Sequence, residues 1–405
     1  TPVFILIFAP GFYIDPAKKD LSIQVLRIMF PYLALISLVA FASGIQNTHQ
    51  KFSIPAFTPV LFNVILIIAA SFIAPNYDMP ILVLAWGVLL AGFVQVIIQV
   101  SPLINIDKLP VPKLDFNNEG VKKFMSIIFP AIIAGGILQI NLLIDTIFAS
   151  LLETGSPTWL YISDRLIQFP MGIFAIAIGT VLLPTLSKYD LSTEKNNFIS
   201  TIKKGQKFVL FIGIPSLIGL FYCAEDLIST IFYRGAFTEV DVINSSYSLM
   251  AFSFGLPFFM LMKVLTPAFF SRKDTTTPMR VALISLFLNA ALNYYLAFVL
   301  DLGHVGIAIG SSLAALVSVC ILELILYRSG FIKSYSFVSR FSLMILLASC
   351  SLALFLHFYT QKIDFIELNH LDRILFLFIE VTIATLIYFT ISRVIYGKSL
   401  RKIFE

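Results

Sequence analysis

Arg165 and its neighbour Asp164 stand inside an apolar run, YISDRLIQFPMGIFAIAIGTVLLPTLS, that covers 161–187. A charge at membrane depth costs at least roughly 2.5–3.5 kcal/mol on insertion scales, so it faces a cavity or a partner. Guanidinium is permanently charged, and its planar fork fits the oxygens of a phosphate or a carboxylate. Successive residues on a helix diverge by about 100°, so Asp164 does not neutralise Arg165. Two anions remain open: a phosphate on a ligand, or Asp145 in an interhelical ion pair. Asp164 is read as orienting Arg165 or another group in a cavity.

A second constellation is Asp145, Asn289, Asn293 and Ser311. At about 1.5 Å per residue from the ends of their spans, Asp145, Asn293 and Ser311 lie roughly 8–12 Å deep, as does Arg165. Asn289 and Asn293 share a helix face by their i, i+4 spacing. With a loosened backbone carbonyl near Ile307, these groups would make an oxygen cage for a hard cation such as sodium. The competing reading is hydrogen bonding between helices without an ion. Lys263, in mid-span, is a candidate for an anionic head group; its alternative is snorkelling to the interface. Glu323 and Glu380 also fall within spans, facing a cavity or pairing with Arg328 or Arg373.

Other chemistry is absent from the pattern. Three cysteines and four histidines are scattered without metal or disulfide spacing. Glu225, Asp226, Glu239 and Asp241 share one connection but form no diphosphate–metal motif, which argues against an enzyme acting on a lipid-linked sugar.

The elements that must position these residues are membrane helices. The chain is 58% hydrophobic and 13% charged over 405 residues, against about 25% charged in soluble domains. It opens with a half-segment at 1–10. Eleven complete spans follow, near 22–46, 53–74, 80–100, 124–149, 158–187, 207–222, 242–270, 279–300, 304–327, 341–359 and 373–395. Spans this long satisfy their backbones as helices. A short amphipathic stretch, DLISTIFYRG, is expected at the interface. Of 28 Lys and Arg, 20 collect on one side of these spans and 5 on the other. The positive-inside rule puts the C-terminus in the cytoplasm.

An internal repeat links the first three spans to spans seven to nine. Pro31 and Pro257 are 226 residues apart, as are Asn63 and Asn289; Gly87 and Gly310 recur at an offset of 223. The spans over 124–222 have no first copy. Roughly a hundred residues, two spans and most of a third, are therefore expected to precede Thr1. Paired repeats with a site between them are a transporter plan.

Four stretches resemble one family: Lys263–Ala282 (KVLTPAFFSRKDTTTPMRVA), Tyr161–Ser187, Gln139–Ser150 (QINLLIDTIFAS), and Ala9–Pro31 with APGF and LRIMFPYL. The chain is similar throughout to the MurJ/MviN family, the lipid II flippases of the multidrug/oligosaccharidyl-lipid/polysaccharide exporter superfamily. The resemblance implies an all-α, two-lobe fold of fourteen helices. Here 1–101 would be the rest of the N-lobe, 102–330 the C-lobe and 331–405 a C-terminal helix pair holding a lipid tail. It implies export of undecaprenyl-pyrophosphate-linked peptidoglycan precursor by alternating access, from a multi-pass position in the bacterial inner membrane. Arg165, Lys263 and Asp164 would meet the substrate, and sodium would sit at Asp145, Asn289, Asn293 and Ser311. Gln168 and Asn293 stand where relatives can carry acids. No cofactor is implied beyond sodium or the membrane potential as driving force. A monomer is expected among membrane lipids and cell wall synthesis proteins, with no nucleic-acid partner. The alternative is another exporter of the superfamily, for a polysaccharide lipid or a drug; a drug exporter should prefer acids and end after twelve spans.

Overall fold

Prolines and caps decide where these helices begin. The computed structural model describes residues 2–106, 119–332, 335–336 and 340–396. Among them every regular element is helical: α1 (Pro2–Phe8), α2 (Pro10–Ile14), α3 (Pro16–Met29), α4 (Tyr32–Thr48), α5 (Ser53–Ile68), α6 (Pro80–Asn105), α7 (Glu119–Ser150), α8 (Ser156–Pro170), α9 (Ala177–Ser187), α10 (Lys195–Tyr222), α11 (Ala224–Phe232), α12 (Glu239–Ser253), α13 (Leu256–Phe270), α14 (Thr276–Tyr294), α15 (Gly303–Arg328), α16 (Arg340–Thr360) and α17 (His370–Tyr396). Proline opens α2, α3 and α6, where its missing N–H costs nothing. Asp15 caps α3 by accepting from the amides of Ala17 and Lys18 at 3.0 and 3.3 Å. Thr238 and Asp241 form a capping box at the start of α12.

Nine stretches among the described residues are long and apolar enough to span a membrane, and α12 with α13, bent by 42°, make a tenth. The expected span at 124–149 falls in α7, whose side chains over 129–138 lie outside the described residues. Two spans start earlier than charge and hydropathy suggest. α10 begins at Lys195 rather than near 207, because lysines are good helix formers and their stems tolerate the interface. The first span includes α3 from Pro16. The amphipathic stretch expected at the interface is the helix α11.

The internal repeat reappears as matched irregularities. The break between α3 and α4 falls at Phe30 and Pro31, and the bend between α12 and α13 falls next to Pro257. A π-helical turn follows α5 at Ala69–Ile73, and another follows α14 at Tyr295–Val299, again 226 residues on. A third, Met171–Ile176, follows Pro170, which has no N–H for the i−4 carbonyl.

The chain forms two compact units, Thr1–Pro130 and Ala131–Glu405. In the first, buried amides join three helices. Gln46 of α4 donates to Gln99 of α6, and Gln99 reaches Ser43 and Thr58 at 2.9 Å each. Gln95 donates to the Thr58 carbonyl at 3.1 Å. Lipid offers no hydrogen bonds, so such amides must find one another across helices.

In the second unit α13 is the central helix: Leu256, Met260, Leu261, Val264, Leu265, Ala268 and Phe269 are all fully buried. Polar cross-links fix its neighbours. Trp159 of α8 donates to Asp241 at 2.8 Å, and Ser163 to the Ser245 carbonyl at 2.7 Å. Ser312 of α15 reaches the Ala251 carbonyl at 3.0 Å, and Tyr388 of α17 the Phe211 carbonyl at 2.6 Å. Among the described residues Glu323 pairs with no arginine; it accepts from Gln206 at 2.8 Å and from the Ser336 amide at 3.2 Å.

At Gly306, α15 packs directly on the backbone of the π turn beyond α14. A Cβ there would stand 2.7 Å from the Ala297 amide nitrogen and 2.7 Å from the Leu296 carbonyl carbon. Elsewhere in a helix, alanine for glycine gains about 1 kcal/mol. Here backbone cannot yield as a side chain can, and overpacking of about 3 kcal/mol outweighs that gain. Gly306→Ala should therefore lower the melting temperature of the folded protein in detergent. An unchanged value would show that the two helices can part without cost.

Candidate functional site

Asp145 comes from the last turns of α7, Asn289 and Asn293 from one face of α14, and Ser311 from α15. The structure brings all four together. Asn293 Nδ2 donates to Asp145 Oδ1 at 2.6 Å and to Asn289 Oδ1 at 3.1 Å. Asn289 Nδ2 donates to Ser311 Oγ at 2.9 Å, and Ser311 Oγ lies 3.5 Å from Asp145 Oδ2. Both asparagines are fully buried. The loosened backbone expected near Ile307 is not there. Ile307 is buried within the helix α15, and the irregular turn lies at Tyr295–Val299, beyond the end of α14.

One atom of this cluster lacks a partner: Asn293 Oδ1 is buried and accepts no hydrogen bond. It fills the space left by Gly310, whose Cβ would come within 2.3 Å of it. An orphaned buried carbonyl beside a carboxylate, a second amide oxygen and a hydroxyl is an all-oxygen donor set. The residues fit a hard monovalent cation once the Asn293 amide turns to exchange Oδ1 for Nδ2.

Arg165 does not join Asp145. The ion pair left open by the sequence is absent, because Asp145 is already held by Asn293. Arg165 is exposed, with its guanidinium 4.7 Å from the centre of the Tyr161 ring one turn back. Gln168, one turn on, bridges the neighbouring charges: its Oε1 accepts from Arg165 at 3.4 Å, and its Nε2 donates to Asp164. Gln168 is neutral, so it positions the guanidinium without cancelling its charge. Among the described residues Arg165 forms no ion pair. The signal for Tyr161 in the sequence is its i, i+4 spacing to Arg165, which places the ring one turn back on the same face.

Asp164 connects the two groups. Its side chain is half-buried, and its charge acts on Asp145. Lys263 is brought to neither cluster by any contact; its side chain is exposed on α13, and its backbone packs against Gly179 of α9. A cleft of about 400 Å³ opens between α9 and α10, lined by Val181, Thr185, Thr201, Lys204 and Phe208 among others.

Repeated broken helices, spans of lipid length and charged or amide side chains within them define a polytopic membrane protein of the two-repeat transporter class. The family model described as Lipid II flippase MurJ matches residues 1–371. The chain belongs to the MurJ family. It is 40% identical over 348 residues to a probable lipid II flippase MurJ of Vibrio cholerae, covering 83% of this chain and 66% of that protein. A Haemophilus influenzae relative of the same description is 36% identical over 386 residues, covering 92% and 74%. The solved structure of Lipid II flippase MurJ in an inward closed conformation superposes with a TM-score of 0.80 at 26% identity, over 98% of this chain and 79% of that one. The chain thus spans about two thirds to three quarters of the length of these curated relatives.

Proposed function

We propose that this chain is the greater part of a lipid II flippase. The protein would move undecaprenyl-pyrophosphate-linked disaccharide-peptide from the cytoplasmic to the outer leaflet by alternating access, as a transporter and not an enzyme. The observation that carries this reading is Arg165: a guanidinium within a transmembrane helix, exposed, held by a tyrosine ring and a neutral amide, and in no close ion pair among the described residues, with the Asp164 carboxylate acting on it only from a distance. A pyrophosphate is the kind of anion such a group takes. Asp164 restrains Gln168, and through it the guanidinium; Lys263, nearer the cytoplasmic end of its span, would meet the head group on the inward side. α16 and α17 are proposed as a helix pair added to the two repeats, which disfavours a drug exporter. The lobes are proposed at 1–101 and 102–330, with the helix pair at 331–405.

Sodium is proposed as the ion held by Asp145, Asn289, Asn293 and Ser311, where it would neutralise the one carboxylate. The full-length protein, expressed in cells depleted of their own lipid II flippase, should restore growth and surface exposure of lipid II. Failure to do so with the protein present in the membrane would overturn the reading.

The proposed orientation places the C-terminus in the cytoplasm of a bacterial inner-membrane protein. In a cysteine-free background, Thr193→Cys should react only with reagents that enter the cytoplasm, and Glu153→Cys with impermeant reagents outside. Gly155 is unsuitable as a probe, since its φ of 110° and the Trp159 ring against it exclude a side chain. The reverse labelling pattern would invert the topology.

A further inference from the structure

The lobe and the last transmembrane helix meet at a cluster that the transport reading leaves unused. α11 lies along α17, and α17 grips it at both ends. At the C-terminal end of α11, Arg373 is 6% exposed and spends its guanidinium on carbonyls. It donates to Phe365 at 2.6 Å, Ile366 at 2.7 Å, Ser229 at 3.4 Å and Tyr233 at 3.5 Å, with the Tyr233 ring 4.7 Å away. A cation suits the end of a helix where carbonyls are free.

Two turns further along α17, on the same face, Glu380 faces the N-terminal end of α11. Cys223 caps that end and donates its S–H to Glu380 Oε1 at 3.1 Å. Asp226 lies in the first turn of α11, within hydrogen-bonding reach of Glu380. Glu380 is fully buried and Asp226 is 5% exposed. Asp226 Oδ2 and Glu380 Oε2 are buried oxygens with no donor. Both are acceptors when ionised, so neither can satisfy the other without a hydrogen between them.

The surroundings decide how many charges the pair can hold. The amide end of α11 favours one negative charge. Among the described residues nothing supplies a second counter-charge. Arg373 is already committed, and the other groups bearing on the pair are Glu225, Asp364, Tyr359 and the Cys223 thiol, none of them cationic at neutral pH. Glu239 adds its charge to that of Glu225, and His357 of α16 packs on Tyr222 rather than on the carboxyls. Two carboxylates a hydrogen bond apart cannot both ionise in a dry space.

We propose that Asp226 and Glu380 form a proton-binding site, in which one proton shared between Asp226 Oδ2 and Glu380 Oε2 clasps α11 to the last transmembrane helix. When hydroxide removes that proton as water, two carboxylates face each other in a buried space and the clasp opens. Burial, then the charge of Glu380, push the Asp226 carboxyl up to about 9, so the proton is bound at neutral pH. No group of three or more His, Cys, Asp or Glu among the described residues has the arrangement of a metal site, which favours a proton over a divalent ion.

The sign of the linkage follows. A carboxyl whose folded pKa lies above its unfolded value contributes stability that is complete below the ordinary carboxyl range and is lost as pH rises to about 9. One proton of difference makes the unfolding equilibrium constant grow about tenfold per pH unit across that window. The test uses the full-length protein in detergent, unfolded at a series of pH values between 5 and 10. The wild type should lose stability as pH rises, and the double variant Asp226→Asn/Glu380→Gln should lose that part of the slope. Superimposable profiles would overturn the proposal. If the double variant does not fold, the infrared spectrum of the wild type supplies the reading. A protonated-carboxyl band should weaken between pH 7 and 10 and be reduced in Asp226→Asn; its absence sinks the idea. Repeating the series in sodium, potassium and choline chloride separates proton from cation, because a slope that changes with the salt would assign the site to a metal ion instead.

Discussion

Arg165→Ala in the full-length protein should abolish lipid II export while leaving the amount of folded protein in the membrane unchanged. The two halves of this expectation come from different contacts. Arg165 is exposed; it touches a tyrosine ring at 4.7 Å and one amide oxygen at 3.4 Å, and the Asp164 carboxylate acts on it from a distance. An exposed cation–π contact is worth about 0.5–1 kcal/mol, too little to unfold a membrane protein of this size. Removing one partner of a desolvated, hydrogen-bonded charge pair costs about 2–5 kcal/mol, or roughly thirtyfold in affinity at the lower end. Arg165→Lys separates charge from geometry. It keeps the positive charge but loses the fork, and should retain a fraction of export. Export at the wild-type level in Arg165→Ala, measured as surface-exposed lipid II in depleted cells, would remove Arg165 from the substrate path. Reduced export together with reduced protein in the membrane would move it to a structural role.

What the sequence carried, and what it did not, follows from the range of each interaction. Proline and asparagine at a common offset of 226 marked the repeat, and the structure adds a π turn to each copy at the same offset. Backbone irregularity is set by local residue types, so it is legible. Helix depth is equally local: the rise per residue puts Asp145, Asn293 and Ser311 at a common depth, and they meet. The partner of a buried group is another matter. Periodicity shows which face of a helix is apolar but not which helix covers it. Hence periodicity leaves Arg165 open between a ligand and Asp145, and only the fold pairs Asp145 with Asn293. The same holds for Glu323 with Gln206 and for Trp159 with Asp241, pairs separated by 117 and 82 residues. His304 looked like one of four scattered histidines, yet its Nδ1 lies 2.7 Å from Ser248 Oγ and its ring packs edge-on to Trp159.

Asp145→Asn should erase any sodium-dependent rise in the melting temperature of the full-length protein, and with it export. Without an ion, Asn293 Nδ2 is the donor that satisfies both Asp145 Oδ1 and Asn289 Oδ1, and Asn293 Oδ1 is the group left unsatisfied. A sodium ion would take over the role of that donor, so the two states differ by the turn of one amide. The Asn substitution keeps the volume and one hydrogen-bonding oxygen, and the cluster should remain packed. What it removes is the single negative charge that makes a monovalent cation worth holding. The effect should reach Arg165, because the charge of Asp164 acts on Asp145 and interacts with Arg165. Occupation of the cage relieves that repulsion, leaving Asp164 free to hold Gln168 and, through it, the guanidinium. Reciprocity then requires that substrate analogues raise the affinity for sodium by the same factor as sodium raises theirs. A melting temperature equal in sodium and choline for the wild type would assign the cluster to helix packing alone. A sodium shift that survives in Asp145→Asn would place the ion elsewhere in the protein.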